Sequence, residues 1–247
     1  MQETAKEIKQ MLETAYPYRI EMHAHTCPVS YCGEASPGEL VNIYHDLGYH
    51  AIVITNHFAA GYGLLSEEGT KDELVAKYLG AFEEAKKAAE QCGIRVILGA
   101  ELRFAENTND YLLYGVDKDI IDAAYDLLPE TLAAYREKAD LSRSVLLQAH
   151  PFRNNMKLMD ASLLDGVETF NMNPGHNGGI GLCVKYAKEH KFPITIAGSD
   201  FHNLNKSHEG VSALRTKILP EDSFALAKLL RDGDYVFEIG GDAIVLP

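Results

Sequence analysis

Short apolar runs alternate with longer polar stretches along most of the chain. The run Tyr18-Arg19-Ile20 leads into Glu21-Met22-His23-Ala24-His25-Thr26, and two histidines one residue apart can project from the same face of a β-strand. A helix is predicted over 37–47, where Ser36 can cap, Pro37 takes the first helical position and Gly48 ends it. Residues 51–55 are continuously apolar and rich in β-branched side chains, which reads as a buried strand, and they run directly into Asn56-His57. A long helix follows over 72–91 and stops near Gly93.

The same alternation continues. Strands are predicted over 95–100, ending at Glu101, over 111–114, and over 144–148, ending at His150-Pro151. Another covers 166–170 and ends near Asn171, and one over 193–197 opens into Gly198-Ser199-Asp200-Phe201-His202. Helical segments reach from the 111–114 strand to about residue 140 and occupy 180–190. A strand over 211–218, a helix over 221–232 and a strand over 235–239 complete the chain, and residues 1–16 read as an amphipathic helix rather than a secretory leader. Repeated strand–helix units predict a parallel sheet with right-handed crossovers. A distorted barrel suits the count better than an open doubly wound sheet, and no GxGxxG follows the first strand to suggest a dinucleotide site.

Bulk properties narrow the picture. At 247 residues and 46% hydrophobic content the chain fits a single α/β barrel domain over 1–247, with no repeat, low-complexity tract or linker to divide it. Lys and Arg number 23 against 36 Asp and Glu, a formal net charge of −13, which argues against nucleic acid as a partner. A small phosphorylated molecule remains compatible, because bound divalent cations reverse the potential locally. No apolar run approaches the roughly 20 residues that span a bilayer. Cys27, Cys32, Cys92 and Cys183 form no CxxC pair and no disulfide framework, which suits reduced thiols in a cytoplasm.

Position carries the chemistry. His57, Glu101, His150, Asp200 and His202 fall at the ends of predicted strands, the face on which barrel sites are built, and His23 and His25 join them. Five imidazoles and two carboxylates converging there make poor packing, since such groups need partners when buried. Divalent cations resolve the conflict, and nitrogen and oxygen donors suit zinc, iron, manganese or cobalt rather than calcium. His45, His50, His190 and His208 lie away from strand ends and take no part.

His-Ala-His-Thr, Ile-Thr-Asn-His, Gly-Ala-Glu, Ala-His-Pro and Gly-Ser-Asp-Phe-His, in that order, resemble the motifs of the PHP (polymerase and histidinol phosphatase) family. The resemblance covers the chain from about residue 19 to 240. It implies a distorted (β/α)7 barrel of TIM-barrel type and phosphoesterase activity with two or three divalent metals (Zn, Mn or Fe), the cations activating the attacking water. It also implies that His23, His25, Glu101 and Asp200 form one complete site, that Glu101 bridges to a second site with His150, and that His57 and His202 serve a third. The sequence departs from the family pattern at two ligands. The loop after His25 has no His or Asp at the expected place, with Cys32 or Glu34 the nearest substitute, and residues 102–149 contain no histidine. Asn56 stands where the family commonly has Asp, a change expected to tune binding rather than abolish it.

Around this set, Arg153 and Arg103 are candidates to clamp a phosphate, Glu168 and Asn171 to support ligands or contact substrate, and His176 to contact substrate or donate a proton. The leading expectation is hydrolysis of a small-molecule phosphate monoester, histidinol phosphate among the candidates. Hydrolysis of another bond, as in amidohydrolases, and a non-catalytic metal- or phosphate-binding regulator are the alternatives. The amidohydrolase pattern calls for a lysine at a strand end, and this chain has none there.

Overall fold

The computed structural model describes residues 4–205, 207, 209–241 and 243–247; residues 1–3 of the expected N-terminal helix and His208 lie outside the described residues. The elements are α1 (Ala5–Ala15), β1 (Tyr18–Ala24), α2 (Pro37–Asp46), β2 (Ala51–Ile54), β3 (His57–Ala59), α3 (Lys71–Ala89), β4 (Arg95–Leu98), β5 (Ala100–Arg103) and β6 (Tyr111–Tyr114). They continue with α4 (Lys118–Leu127), α5 (Leu132–Lys138), β7 (Val145–Gln148), β8 (Gly166–Asn171), α6 (Ile180–His190), β9 (Ile194–Gly198), β10 (Ser212–Thr216), α7 (Ser223–Asp232), β11 (Tyr235–Ile239) and β12 (Ala243–Val245). Helices α1, α2 and α3 start at capping boxes, Thr4 with Glu7, Ser36 with Glu39 and Thr70 with Glu73, each satisfying amide donors that the first turn leaves open. No described helix is long and apolar enough to cross a membrane.

The strands form two six-stranded sheets, ordered β12-β11-β10-β1-β2-β4 and β3-β5-β6-β7-β8-β9. The mixed α/β character expected from the sequence is present. The all-parallel sheet is not, and no closed barrel of the TIM type is formed among the described residues. β6 runs antiparallel to both β5 and β7, and β10 antiparallel to both β1 and β11. Residues 104–110 between β5 and β6 are too few for a helical crossover, which takes about a dozen residues or more, so the chain turns back as a hairpin.

The strands expected over 51–55 and 95–100 end where the chain passes from one sheet to the other, and each is followed by a further short strand. Residues 51–59 split into β2 and β3 at Thr55-Asn56, and residues 95–103 into β4 and β5 at Gly99. A Cβ at Gly99 would lie 2.9 Å from side-chain carbons of both Thr55 and Val53, so only glycine lets the two chains cross this closely. Between the sheets, Ile20, Met22, Val53, Ile97, Leu147 and Ile196 belong to one buried apolar cluster drawn from both. Burying side chains of this size contributes about 1.5–3 kcal/mol each and fixes the floor on which the polar strand ends stand. At the open margin the end of β1 meets the segment after β9: the His25 amide donates to the Phe201 carbonyl at 3.0 Å and the Phe201 amide to the His23 carbonyl at 3.2 Å.

Candidate metal centre

His23 and His25 are fully buried at the end of β1, where the pairing with β2 shifts register between Glu21 and Ala24. Such an irregularity re-aims side chains, and here it leaves both imidazoles converging. Their Nε2 atoms are 3.1 Å apart. His23 Nε2 lies 3.2 Å from Glu101 Oε1 and 3.4 Å from Asp200 Oδ1, and His25 Nε2 lies 3.3 Å from both Glu101 Oε2 and Asp200 Oδ1. A tetrahedral ion with bonds of about 2.0–2.1 Å places neighbouring donors about 3.3–3.4 Å apart. The four side chains therefore already stand at the edges of a coordination polyhedron.

A second observation supports the fit. Glu101 Oε2, Asp200 Oδ1 and His57 Nδ1 are buried and have no hydrogen-bond partner. Buried polar atoms normally find one, and three such atoms in one cluster fit the donors of a bound cation. His57 Nδ1 and Glu101 Oε2 are only 2.8 Å apart yet make no hydrogen bond, as expected of donors aimed at a shared point.

Electrostatics agree. Burial pushes the Glu101 carboxyl up, but His57, His23 and the bond from His150 overcome it and hold the group well below the usual carboxylate range. Asp200 behaves alike, with His23, His202, His25 and Arg153 outweighing burial. Burial, then His202 and His57, drive His25 well below its ordinary value. Burial opposes the charge on His23, yet Glu168, Asp200 and Glu101 raise it well above its ordinary value. Cation binding displaces such ring protons.

Asp110 was missed by sequence reasoning. It is buried immediately before β6, and its ligand atoms and those of His57 and Glu101 lie within 4.8 Å of one another. Its Oδ2 is 3.8 Å from His150 Nε2, which in turn lies 3.2 Å from Glu101 Oε1. The rule that ligands sit after strands hides it, because β6 is antiparallel and presents its beginning to the site. Arg103, expected to face a phosphate, is instead paired with Asp110 through Nε at 2.7 Å and Nη2 at 2.9 Å.

His25, His57 and His202 form a further group with ligand atoms within 4.8 Å of one another. His202 Nδ1 bonds the Asp200 carbonyl at 2.8 Å, which leaves Nε2 with its lone pair. The two loop candidates separate clearly. Cys32 is half-buried; burial resists its ionisation, but the neighbouring imidazoles of His202 and His57 bring the thiol down to about 6. Glu34 is exposed and turned away, accepting from Asn203 Nδ2 at 3.0 Å and from the Leu204 amide at 2.8 Å. The structure does not bring Glu34 into the cluster.

Outer partners hold the ligands in place. Glu168, fully buried, accepts at 2.9 Å from His23 Nδ1 and at 3.0 Å from the His150 amide. Asn171 donates to Glu168 Oε2 at 2.9 Å. Asn56 clasps Thr26, accepting from its amide at 2.7 Å and donating to its hydroxyl at 2.8 Å. Glu21, which as an acid inside a strand gave no signal, accepts from the His23 amide at 2.9 Å, the Ser199 amide at 3.0 Å and Tyr44 at 3.1 Å; burial, against those bonds, raises it to about 7. Gly198 makes room for this packing, since a Cβ there would stand 2.5 Å from His23 Cβ and 2.6 Å from Glu168 Oε1. His150 at φ 29° and Asp200 at φ 52° occupy left-handed backbone, conformations that cost side-chain-bearing residues energy and concentrate at functional sites.

Arg153 lies against Asp200 Oδ2 with its Nη2, which also reaches Asn171 Oδ1 at 3.3 Å. His176 sits on an exposed loop, its ionisation disfavoured first by partial burial and then by Arg153. His45, His50 and His190 appear in none of the clustered donor groups.

The PHP domain family model matches residues 21–219. No curated protein matches the chain. Among solved structures, a two-domain protein from Bacteroides vulgatus containing a predicted PHP-like metal-dependent phosphoesterase is 16% identical with a TM-score of 0.65, over 90% of this chain and 65% of that one. The present chain thus spans just under two thirds of that relative, and the likeness bears on fold alone. A candidate metal-dependent phosphoesterase from Bifidobacterium adolescentis has a TM-score of 0.47 at 17% identity, over 74% of this chain and 87% of that one. An amidohydrolase from Chromobacterium violaceum with bound sulfate and no metal has a TM-score of 0.49 at 16% identity, over 76% and 89% of the two chains.

Proposed function

The chain belongs to the PHP domain family, and from that premise we propose that it is a metal-dependent phosphoesterase that hydrolyses a small-molecule phosphate monoester. The observation that carries this reading is the buried nitrogen–oxygen donor set of His23, His25, Glu101 and Asp200, spaced as for a tetrahedral ion. These four would hold one cation, and Glu101 with Asp110, His150 and His57 a second. Bound divalent cations supply Lewis-acid stabilisation of phosphoryl oxygens and make water acidic enough to attack at neutral pH.

The remaining steps belong to side chains. Arg153, at the rim with 14% side-chain exposure, contacts Asp200 and can turn its free guanidinium nitrogens to a phosphoryl oxygen. Asn171 and Asn173 brace Asp200 on the other side, Asn173 Nδ2 donating to its carbonyl at 3.0 Å, so that the carboxylate stays in place when Arg153 engages substrate. His176 is held toward its neutral form and so serves as a substrate contact rather than a store of protons. The acidic chain, with a net charge of −13, favours a small substrate over a polynucleotide.

The test is to strip the protein with chelator, verify the loss by elemental analysis, restore Zn, Mn or Fe singly, and assay a broad phosphoester panel. Monoester hydrolysis that disappears and returns with the metal supports the reading. A metal-loaded protein that turns over no member of the panel overturns it.

A further inference from the structure

We propose that Tyr62, backed by Arg103, determines which ester the centre takes: together they form a flat wall for a planar, unsaturated leaving group. This deepens the phosphoesterase reading, on which it rests, by naming the organic half of the substrate through its chemistry.

The register of β3 and β5 builds the wall. His57 pairs with Glu101, and Ala59 with Arg103. Side chains two apart on a strand share a face, so Arg103 stands on the face of Glu101, one step further along β5. Beside it the chain leaves β3 and turns. The Ala60 amide donates to the Arg103 carbonyl at 3.0 Å and the Tyr62 amide to the Ala59 carbonyl at 3.2 Å. Gly61 at φ 62° and Gly63 at φ 57° flank Tyr62 in left-handed backbone, which glycine adopts without strain. Just beyond, Leu64 is buried in the core and the Ser66 hydroxyl donates to the Gly63 carbonyl at 2.7 Å. Tyr62 is therefore presented by a turn that is anchored on both sides.

Its ring is held as well. It meets the His57 imidazole nearly at right angles, with centroids 5.6 Å apart, and the Arg103 guanidinium lies over it at 5.1 Å. Even so, Tyr62 keeps 39% of its surface open. A lone exposed aromatic is ordinary on a protein surface, but this one is clamped against a donor of the metal centre. Asp110 takes the Nε and Nη2 hydrogens of Arg103 and neutralises its charge. What remains is a pair of planar groups with no net charge, a partner for stacking rather than for an anion. A phosphoryl group seated on the donors has the apolar floor behind it, so its ester oxygen and whatever that carries project outwards past Tyr62.

Two matched pairs of probes test this on metal-loaded protein. Benzyl phosphate and cyclohexylmethyl phosphate have leaving groups of similar size and basicity, and only the first is flat and unsaturated. Benzylphosphonate and cyclohexylmethylphosphonate cannot be hydrolysed, and their binding is read by calorimetry without turnover. The wild-type protein should favour the benzyl member of each pair by about 5-fold or more, in kcat/KM and in Kd. Tyr62→Leu should bring both ratios below about 2-fold, whereas Tyr62→Phe should keep them. Elemental analysis checks that each variant carries the same metal, and the ratios cancel any general loss. Equal binding of the two phosphonates by the wild-type protein, binding of neither, or a benzyl preference that survives Tyr62→Leu overturns the proposal. Cleavage of both esters with equal kcat/KM overturns it too and leaves the functional reading intact. A Tyr62-dependent phosphonate preference without cleavage of either ester leaves the wall standing and sinks the functional reading alone.

Discussion

Two neighbouring regions of the centre are made by different means. The corner of His23, His25, Glu101 and Asp200 is assembled by β1, β5 and the end of β9, and none of the four is more than 1% exposed. The adjoining edge of Cys32, His202, Arg153 and His176 hangs from loops and opens to solvent. Strand hydrogen bonds and outer carboxylates position the corner, whereas the edge depends on a few polar tethers such as Ser30 and Glu34. A corner of that kind holds an ion in fixed geometry; an edge of that kind can adjust to substrate and to metal. The comparison implies a gradient: disturbing the corner should cost far more than disturbing the edge.

The largest effect is expected at Glu101, which contacts His23, His25, His57 and His150 at once. Glu101→Gln should weaken binding of the corner's cation, and of the second cation that shares Glu101, by at least about 100-fold, beyond the 10–100-fold typical of losing an outer partner. Isothermal titration and elemental analysis after dialysis measure this. Retention of full metal content by the variant would mean that the histidines alone define the site and that the corner is less dependent on its shared carboxylate than the geometry states.

Next comes the outer layer. Glu168→Gln keeps the shape but removes the negative charge facing His23 Nδ1, which orients that ring and raises its basicity. Metal affinity should fall by about 10–100-fold with an unchanged circular dichroism spectrum. If affinity changes by less than about 2-fold, Glu168 serves the fold only, and the corner is held by backbone rather than by its partners.

The same division explains how much could be read in advance. His23 and His25 were legible because the period of a strand puts alternate residues on one face, and Glu101, His150 and Asp200 because they follow apolar runs. Asp110 was not, because the direction of β6 is set by a hairpin that hydrophobic periodicity does not encode. Glu21 was not, because a carboxylate inside a strand looks like a solvent-facing residue until Tyr44 and Ser199 are seen to close around it. The predicted TIM-type closure failed for a related reason: the apolar strands are there, but β6 and β10 run against their neighbours. At the edge, choosing between Cys32 and Glu34 needed the positions of Asn203 and His202, more than 160 residues further along the chain.

That choice gives the smallest and most discriminating prediction. Glu34 and Cys32 share one short loop, yet the carboxylate is exposed and bonded to neutral N–H groups while the thiol is half-buried. Glu34→Gln keeps one acceptor oxygen for the turn and loses one of its two bonds, about 1 kcal/mol of stability at this exposed position, readable as a slight shift in a denaturation curve. Its effect on metal affinity should stay below about 3-fold, because its carboxylate is exposed and accepts from the Asn203 side chain and the Leu204 amide rather than joining a clustered donor group. A fall of more than about 10-fold in Glu34→Gln would mean that the carboxylate swings inward when a cation arrives. The edge would then be a mobile ligand set completed on metal binding, and the gradient from a rigid corner to an adjustable edge would be steeper than the two regions display at rest.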